Sequence, residues 1–463
     1  MLALIGDGAL TGGLAYEGLN NAGASHEHLI VIVNDNGMSI DPNVGALPRH
    51  LAQLRAKPAY YHFKKWYRRL FGANPVQSPI YRFNHRLKTE LKKALWPSST
   101  LFEDMGFTYL GPIDGHDLPR LCDMLQWAKE LTGPVVVHVH TKKGKGYPFA
   151  ERNPGKFHGI APFDPQTGLT LQPGGETFSS TFGKTLTDCA AESEKVCAIT
   201  AAMEDGTGLA AFAKAYPERL FDVGIAEGHA VSMAAGMAKQ GMIPVFAVYS
   251  TFLQRSYDML FHDVALQKLH VVLGVDRAGL VGADGETHHG CLDISYLTGI
   301  PGFTVLCPSS LSELRSMTRQ ALFEIQGPVA LRYPRGGEGH FTQDTGSQAV
   351  VRLRDGHQAV LVSYGILINQ VLDAAERLER DGISTRVVKL NRIAPLDTSA
   401  LLRELDGADT VLVLEDCFEN GSIGQQIAAL LAESGRQCRR VILQNLKDRF
   451  APEGTVEQLQ ERF

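Results

Sequence analysis

The sequence predicts an α/β protein built on mainly parallel sheets, and three observations carry that prediction. Short β-branched runs recur along the chain, among them "LIVIVNDN", "GPVVVHVHT", "KVCAIT", "IPVFAVYS", "HVVLGVDRAG", "PVALRYPR", "AVLVSYG", "STRVVKL" and "TVLVLED", each followed by turn residues and a helical pattern. The runs are continuously apolar rather than alternating, which predicts helices over both faces of each sheet. The opening stretch "MLALIGDGALTGGLAYEGLN" carries an apolar strand into Gly6-Asp7-Gly8 and then Gly12-Gly13 before a helix. That is the pattern of a phosphate-facing crossover, where glycines let the backbone approach a ligand.

Composition narrows the class. With 463 residues, 44% hydrophobic and 21% charged, the chain has material for about three domains and a sizeable core. A net charge of -5 gives no reason to expect nucleic acid or a membrane surface as partner. No apolar run reaches the roughly 18 residues of a membrane span and no signal core follows Met1, so a cytoplasmic location is expected. The seven cysteines are scattered without a C-x-x-C pair, which predicts reduced, mostly buried thiols.

Two polar stretches divide the chain. "GIAPFDPQTGLTLQPGGETFSSTFG" is rich in Pro, Gly, Ser and Thr, and "GGEGHFTQDTGSQ" follows "LRYPR". The expected organisation is a first domain over 1–160, a linker over 161–179, a second domain over 180–336 and a third over 350–463. Between Leu51 and Leu95 the chain turns basic and aromatic, as in "YYHFKKWYRRLFG". Interleaved cations and aromatics can bind single strands of nucleic acid. The i, i+4 spacing of Leu87, Leu91 and Leu95 favours an amphipathic excursion with a solvated basic face.

Several polar groups fall at strand ends. Asp7 ends the first strand and Asn36 of "NDNGMSI" the next, and neighbouring parallel strands deliver their ends to one crevice. The two are either oxygen ligands converging on a magnesium ion or unrelated polar turns. Glu227 of "FDVGIAEGHAVSMAAGMA" sits between a strand and a helix of small apolar residues, as a proton-sharing carboxylate or as a helix-start glutamate. "YSTFLQRSYD" adds Tyr249, Phe252 and Arg255, "DRAGLVGADGETHHG" adds Arg277, Asp284 and His288, and "LRYPRG" adds Arg335.

In this order "GDGALTGG", "NDNGMSI", "NVGAL", "GPIDGHD", "TKKGKGY", "FH", "IAEGHAV", "YSTFLQR", "HDVALQK", "DRAGLVGADGETHHG", "RYPRG" and "PLD" resemble the 1-deoxy-D-xylulose 5-phosphate synthase family, thiamine-diphosphate enzymes of the transketolase group. The resemblance covers nearly the whole chain, and "DRAGLVGADG" with "YSTFLQR" separates this family from transketolase and the 2-oxoacid dehydrogenases. It implies three transketolase-like domains: a diphosphate-binding domain, a pyrimidine-binding domain and a C-terminal domain. It also implies a homodimer that joins pyruvate to glyceraldehyde 3-phosphate with loss of carbon dioxide, a step toward isoprenoids and thiamine.

The family's roles carry over by position. Asp7, Asn36 and the Met38 carbonyl would hold Mg2+ on the cofactor, with Gly8 and Ala9 beside the diphosphate. Glu227 would bond the aminopyrimidine ring and Phe252 would stack on it. Arg277 and Arg335 would clamp the acceptor phosphate, since guanidinium matches phosphate geometry. Tyr249, Arg255, Asp284 and His288 would line the acceptor site, closed by His158, with His158 and His288 joining Glu227 as catalytic groups.

Gly37 stands where the family usually has an acidic residue and Gly228 where it often has Gln. In the family "IGDGALTGG" lies well inside the first domain, so the first domain is expected to be incomplete and its opening strand to lack sheet partners. The chain is then expected to be a truncated product or fragment, or to be completed by another polypeptide. It acts as an active synthase or as a non-catalytic remnant serving at most for folding or dimerisation.

Overall fold

The computed structural model describes residues 1–463 except 40–42, 56–99, 172–174, 283 and 437. The Leu87, Leu91 and Leu95 excursion lies outside the described residues. The chain forms two compact units: Met1–Gln172 with Gly224–Ala226, and Pro173–Val223 with Glu227–Phe463.

The first unit carries four parallel strands, β1 (Leu2–Gly6), β2 (Ile30–Asp35), β3 (Thr108–Asp114) and β4 (Val135–His140), in the order β1-β2-β4-β3. Alternation along the inner strands divides their apolar side chains between two cores. Val31, Val33 and Val136 pack with Leu19, Leu51 and Phe102. Ile30, Val135, Val137 and Val139 pack on the other face with Ala128 of the helix Leu118–Glu130, which Asp117 caps and a proline opens. Coverage on both faces, expected of every strand, fails at β1. Leu2 is 65% exposed and Leu4 75%, and among the described strands β1 pairs with β2 and forms the sheet edge.

The second unit holds two sheets. The larger contains β5 (Val196–Thr200), β6 (Leu220–Asp222), β7 (Ile243–Tyr249), β8 (Val272–Asp276), β9 (Thr304–Leu306) and β10 (Val329–Arg332). The smaller contains β11 (Val350–Arg354), β12 (Ala359–Tyr364), β13 (Thr385–Leu390), β15 (Thr410–Leu414) and β16 (Arg440–Gln444). Between β13 and β15 the chain crosses over: β14 (Arg392–Ala394) leaves the smaller sheet and pairs antiparallel with β9. The strand orders are β14-β9-β10-β8-β7-β5-β6 and β11-β13-β12-β15-β16. Among the described strands β14–β9 and β11–β13 pair antiparallel and the rest parallel, so the sheets are mainly parallel, as the sequence predicts.

The helix Phe178–Glu192 starts two residues inside the stretch read as linker, because Thr177 and Ser180 form a capping box that satisfies its first amides. It buries Phe178, Phe182 and Leu186 against β8 and β10. Gly274 in β8 permits the approach, since a Cβ there would stand 2.5 Å from the Phe182 ring.

Two buried charge groups join the two sheets. Lys389 of β13, fully buried, donates to Glu313 Oε1 at 2.8 Å, to Asn391, and to Thr345, and burial holds its ammonium below the usual lysine range. Arg332 of β10 bonds Asp293 and Asp416, both at 2.9 Å. A buried ion losing its counter-charge is far more costly than the pair is stabilising. Glu313→Ala should therefore destabilise the second unit by about 3–5 kcal/mol in chemical denaturation. The double variant Glu313→Leu/Lys389→Met should lose much less; equal losses would show that the ammonium is not what the carboxylate compensates.

Candidate functional site

In the first unit Asp7 follows β1 directly and is 2% exposed. Its Oδ2 accepts from the Gly37 amide and from Asn43 Nδ2, both at 2.8 Å. Its Oδ1 is buried with no hydrogen-bond partner among the described residues. Burial, then the neighbouring Asp35 carboxyl, raise the Asp7 pKa against the lowering by the Gly37 amide. Gly37 has φ +75, a left-handed backbone that glycine adopts without strain and an acidic residue would resist. Asn36 Oδ1 accepts the Met38 amide at 2.9 Å.

An orphaned, buried carboxylate oxygen beside an amide side chain and a turn carbonyl suits a hard divalent cation. Among the described residues no three His, Cys, Asp or Glu side chains could hold a metal by themselves. The Asp7, Asn36 and Met38 oxygens would need further ligands from a bound diphosphate, which is how magnesium commonly binds. Gly8 precedes the single 3₁₀ turn Ala9–Thr11 at this strand end. His158 also belongs to this unit, with Nδ1 3.1 Å from Lys143 Nζ.

In the second unit the remaining predicted residues meet through direct contacts. Glu227 opens the helix Glu227–Lys239, is 3% exposed, and accepts from Arg255 Nη1 at 2.6 Å. The Arg255 guanidinium lies 5.0 Å from the centre of the Phe252 ring, which stacks on Tyr249 and meets His288 edge-on. Arg277 lies 3.7 Å over the Tyr249 ring and donates to the Gly206 carbonyl at 2.8 Å. Arg335 pairs with Asp284 at 2.5 Å. A Cβ at Gly228 would come within 2.9 Å of Met259, so this departure from the family pattern makes room for that methionine.

Arg277 and Arg335 line a cleft of about 310 Å³ with Thr177, Ser179, Ser180 and Asp205. Two guanidinium groups face this space, forks that suit a phosphate-sized anion, while the Thr177 and Ser180 hydroxyls are engaged in the helix cap and Asp205 adds a carboxylate to the lining.

Arg277 has φ 57, a left-handed conformation that non-glycine residues seldom adopt and that clusters at functional sites. The preceding residue, Asp276, is fully buried, with Arg277 Nη1 3.7 Å from its Oδ2. Desolvation pushes its pKa up to about 6, against the pull of Arg277. The folded state therefore binds a proton between about pH 4 and 6 that the unfolded state has released, and stability falls as pH rises through that window. Asp276→Asn should be more stable than the parent at pH 7.5 by up to about 3 kcal/mol, with roughly half that gain at pH 5. Urea denaturation at both pH values measures it; a loss of stability at pH 7.5 would show that the carboxylate is compensated.

Sequence reasoning missed Asp276 and the buried trio of Asp35, His138 and Tyr109. Asp276 was hidden beside Arg277 in "DRAG", and His138 by its place in the valine run "VVVHVH". A polar residue in an otherwise continuous apolar strand was the available signal. All seven cysteines are free, and no described helix is long and apolar enough to cross a membrane.

Comparison with known proteins finds matches to three families along the chain. Residues 1–141 match the family described as 1-deoxy-D-xylulose-5-phosphate synthase, 176–337 the transketolase pyrimidine-binding domain and 348–463 the transketolase C-terminal domain. The 1-deoxy-D-xylulose-5-phosphate synthase of Caldanaerobacter subterraneus is 44% identical over the whole chain, which spans 75% of that relative. The synthase of Clostridium kluyveri is 46% identical over 98% of the chain and 73% of its own length. A split-gene transketolase, described as an inactive beta4 tetramer, covers 62% of the chain with 94% of its own, at 27% identity and TM-score 0.56. The transketolase of Campylobacter jejuni shares the fold over the whole chain at 17% identity and TM-score 0.53. With strand-end chemistry, domain order and whole-chain identity in agreement, the chain belongs to the 1-deoxy-D-xylulose-5-phosphate synthase family of thiamine-diphosphate-dependent transferases.

Proposed function

We propose that this chain takes part in the condensation of pyruvate with glyceraldehyde 3-phosphate to 1-deoxy-D-xylulose 5-phosphate and carbon dioxide, in the cytoplasm and as a homodimer. The observation that carries this reading is the contact series Glu227–Arg255–Phe252–Tyr249–Arg277, which joins a buried carboxylate to an arginine-lined cleft within one unit. Thiamine diphosphate, when bound, supplies the nucleophilic carbon and the electron sink for decarboxylation.

The chain's own residues hold, orient and discriminate. Asp7, Asn36 and the Met38 carbonyl bind Mg2+, with Gly8 and Ala9 beside the diphosphate. Glu227 bonds the aminopyrimidine ring nitrogen and fixes the proton there, and Phe252 offers a flat apolar face to that ring. Arg255 already holds Glu227 in place, which gives it a positioning role besides lining the acceptor site. Arg277 and Arg335 receive the acceptor phosphate. Asp284 neutralises part of the Arg335 charge, so a phosphate competes with that carboxylate for the guanidinium. Tyr249, Asp284 and His288 complete the acceptor contacts within the second unit.

A second reading, a non-catalytic module for folding or assembly, is favoured by the extensive match to the split-gene transketolase described as inactive. Coupled assay of pyruvate decarboxylation with glyceraldehyde 3-phosphate, thiamine diphosphate and Mg2+ separates the two: turnover supports the synthase reading and its absence in folded protein the module reading.

Where turnover is present, Glu227→Ala should lower kcat by about 10²- to 10⁴-fold with little change in melting temperature. Arg277→Ala and Arg335→Ala should each raise KM for glyceraldehyde 3-phosphate while leaving pyruvate KM nearly unchanged, since only the acceptor bears a phosphate. Equal damage to both substrates would assign the arginines a structural role instead.

A further inference from the structure

A line of polar side chains crosses the four-stranded sheet in strand order. Asp7 follows β1, Asp35 ends β2, His138 lies in β4 and Tyr109 in β3. Tyr109 donates its hydroxyl proton to His138 Nδ1 at 2.7 Å, and His138 Nε2 donates to Asp35 Oδ2 at 2.8 Å. His138 is 0% exposed, Asp35 1% and Tyr109 8%. The Asp35 carboxyl in turn neighbours that of Asp7, whose Oδ1 has no partner among the described residues.

With Asp35 ionised, His138 Nε2 is the donor to it and Nδ1 is left to accept from Tyr109. A neutral imidazole between a hydroxyl and an anion uses both ring nitrogens, and Asp35 is thereby fixed in position as an acceptor. Apolar side chains of similar size would fill the space of Tyr109 and His138 without the desolvation cost of three buried polar groups. The β4 neighbours of His138 are valines, so the strand itself does not require a polar residue there. What the line does supply is a second, immobilised carboxylate next to the Asp7 carboxyl, one oxygen of which is orphaned, an environment of hard oxygen and negative charge.

We propose that Tyr109, His138 and Asp35 are positioning residues for a divalent-cation site at Asp7, acting by fixing the Asp35 carboxylate next to the Asp7 carboxyl. The inference rests on the reading of Asp7 as a cation ligand and extends it to residues that touch neither cation nor cofactor in that reading. Outer partners that orient metal-binding groups typically contribute 10- to 100-fold in metal affinity.

Manganese is a suitable probe, because the loss of the free Mn2+ resonance reports binding without any need for turnover. Mn2+ is titrated into the 463-residue chain in the presence of thiamine diphosphate, and melting temperatures without metal verify folding. Asp7→Ala should abolish high-affinity binding. Asp35→Asn and His138→Leu should weaken it about 10- to 100-fold, and Tyr109→Phe should weaken it in the same direction by less. His138→Gln, whose amide can still donate to Asp35, should recover part of the affinity lost in His138→Leu. A purely structural trio would lower melting temperature and leave the Mn2+ affinity of the folded variants unchanged.

If Asp7→Ala abolishes binding while Asp35→Asn and Tyr109→Phe bind as the parent does, the inference is overturned and the cation reading stands. If Asp7→Ala binds normally, or folded parent protein binds no Mn2+, the cation reading falls and the inference with it. Should His138→Leu fail to fold, Asp35→Asn and Tyr109→Phe still decide the matter.

Discussion

The buried ammonium of Lys389 is the constraint on which the larger unit depends. It lies on the last strand before the chain leaves one sheet for the other, and its counter-charge, Glu313, comes from a helix of the other sheet's layer. An unpaired ammonium at that depth would be prohibitive, so the two sheets are held in one register by electrostatics as well as by apolar contact. The exchange of β14 into the larger sheet and the Arg332 triad follow the same boundary. Arg332 stands three residues before Arg335, so the strand end that presents a cleft arginine is anchored by a buried ion network.

With that frame rigid, the parallel sheet decides where chemistry can occur. Tyr249 ends β7, Asp276 ends β8, and Arg277 and Arg335 follow β8 and β10, all at carboxyl ends, which is where open α/β sheets bind ligands. Stability is sacrificed there. Arg277 takes a left-handed backbone and Asp276 buries a carboxylate whose desolvation the neighbouring Arg277 only partly offsets, both unfavourable for folding and both next to the cleft. Strain and costly burial at one strand end mark a site shaped for a ligand rather than for packing.

The smaller unit obeys the same geometry with different means. A glycine turn brings Asp7 to the end of β1, and a lateral row of polar side chains crosses the sheet to reach it. The row runs diagonally across the strands: in register Asp35 stands opposite His140 and Tyr109 opposite Val136, and the His138 ring reaches both from two residues along β4, whatever their separation along the chain. Asp35 and His138 are 103 residues apart in sequence and 2.8 Å apart in space.

The sequence by itself determined the local terms. β-branched runs and turn residues determined the α/β class and the mainly parallel sheets. The motifs from "GDGALTGG" to "RYPRG" determined the family and the names of the site residues. These are legible because propensity and motif chemistry act over a few neighbouring residues. Only the tertiary structure decided which groups face each other: Arg255 against Glu227, Asp284 against Arg335, and the orphaned Asp7 oxygen. It also decided the β1 edge and the helix start at Phe178. Burial and pairing are long-range properties, set by which strands become neighbours, and a polar residue such as His138 within a run of valines acquires its meaning only when the adjoining strands bring it partners.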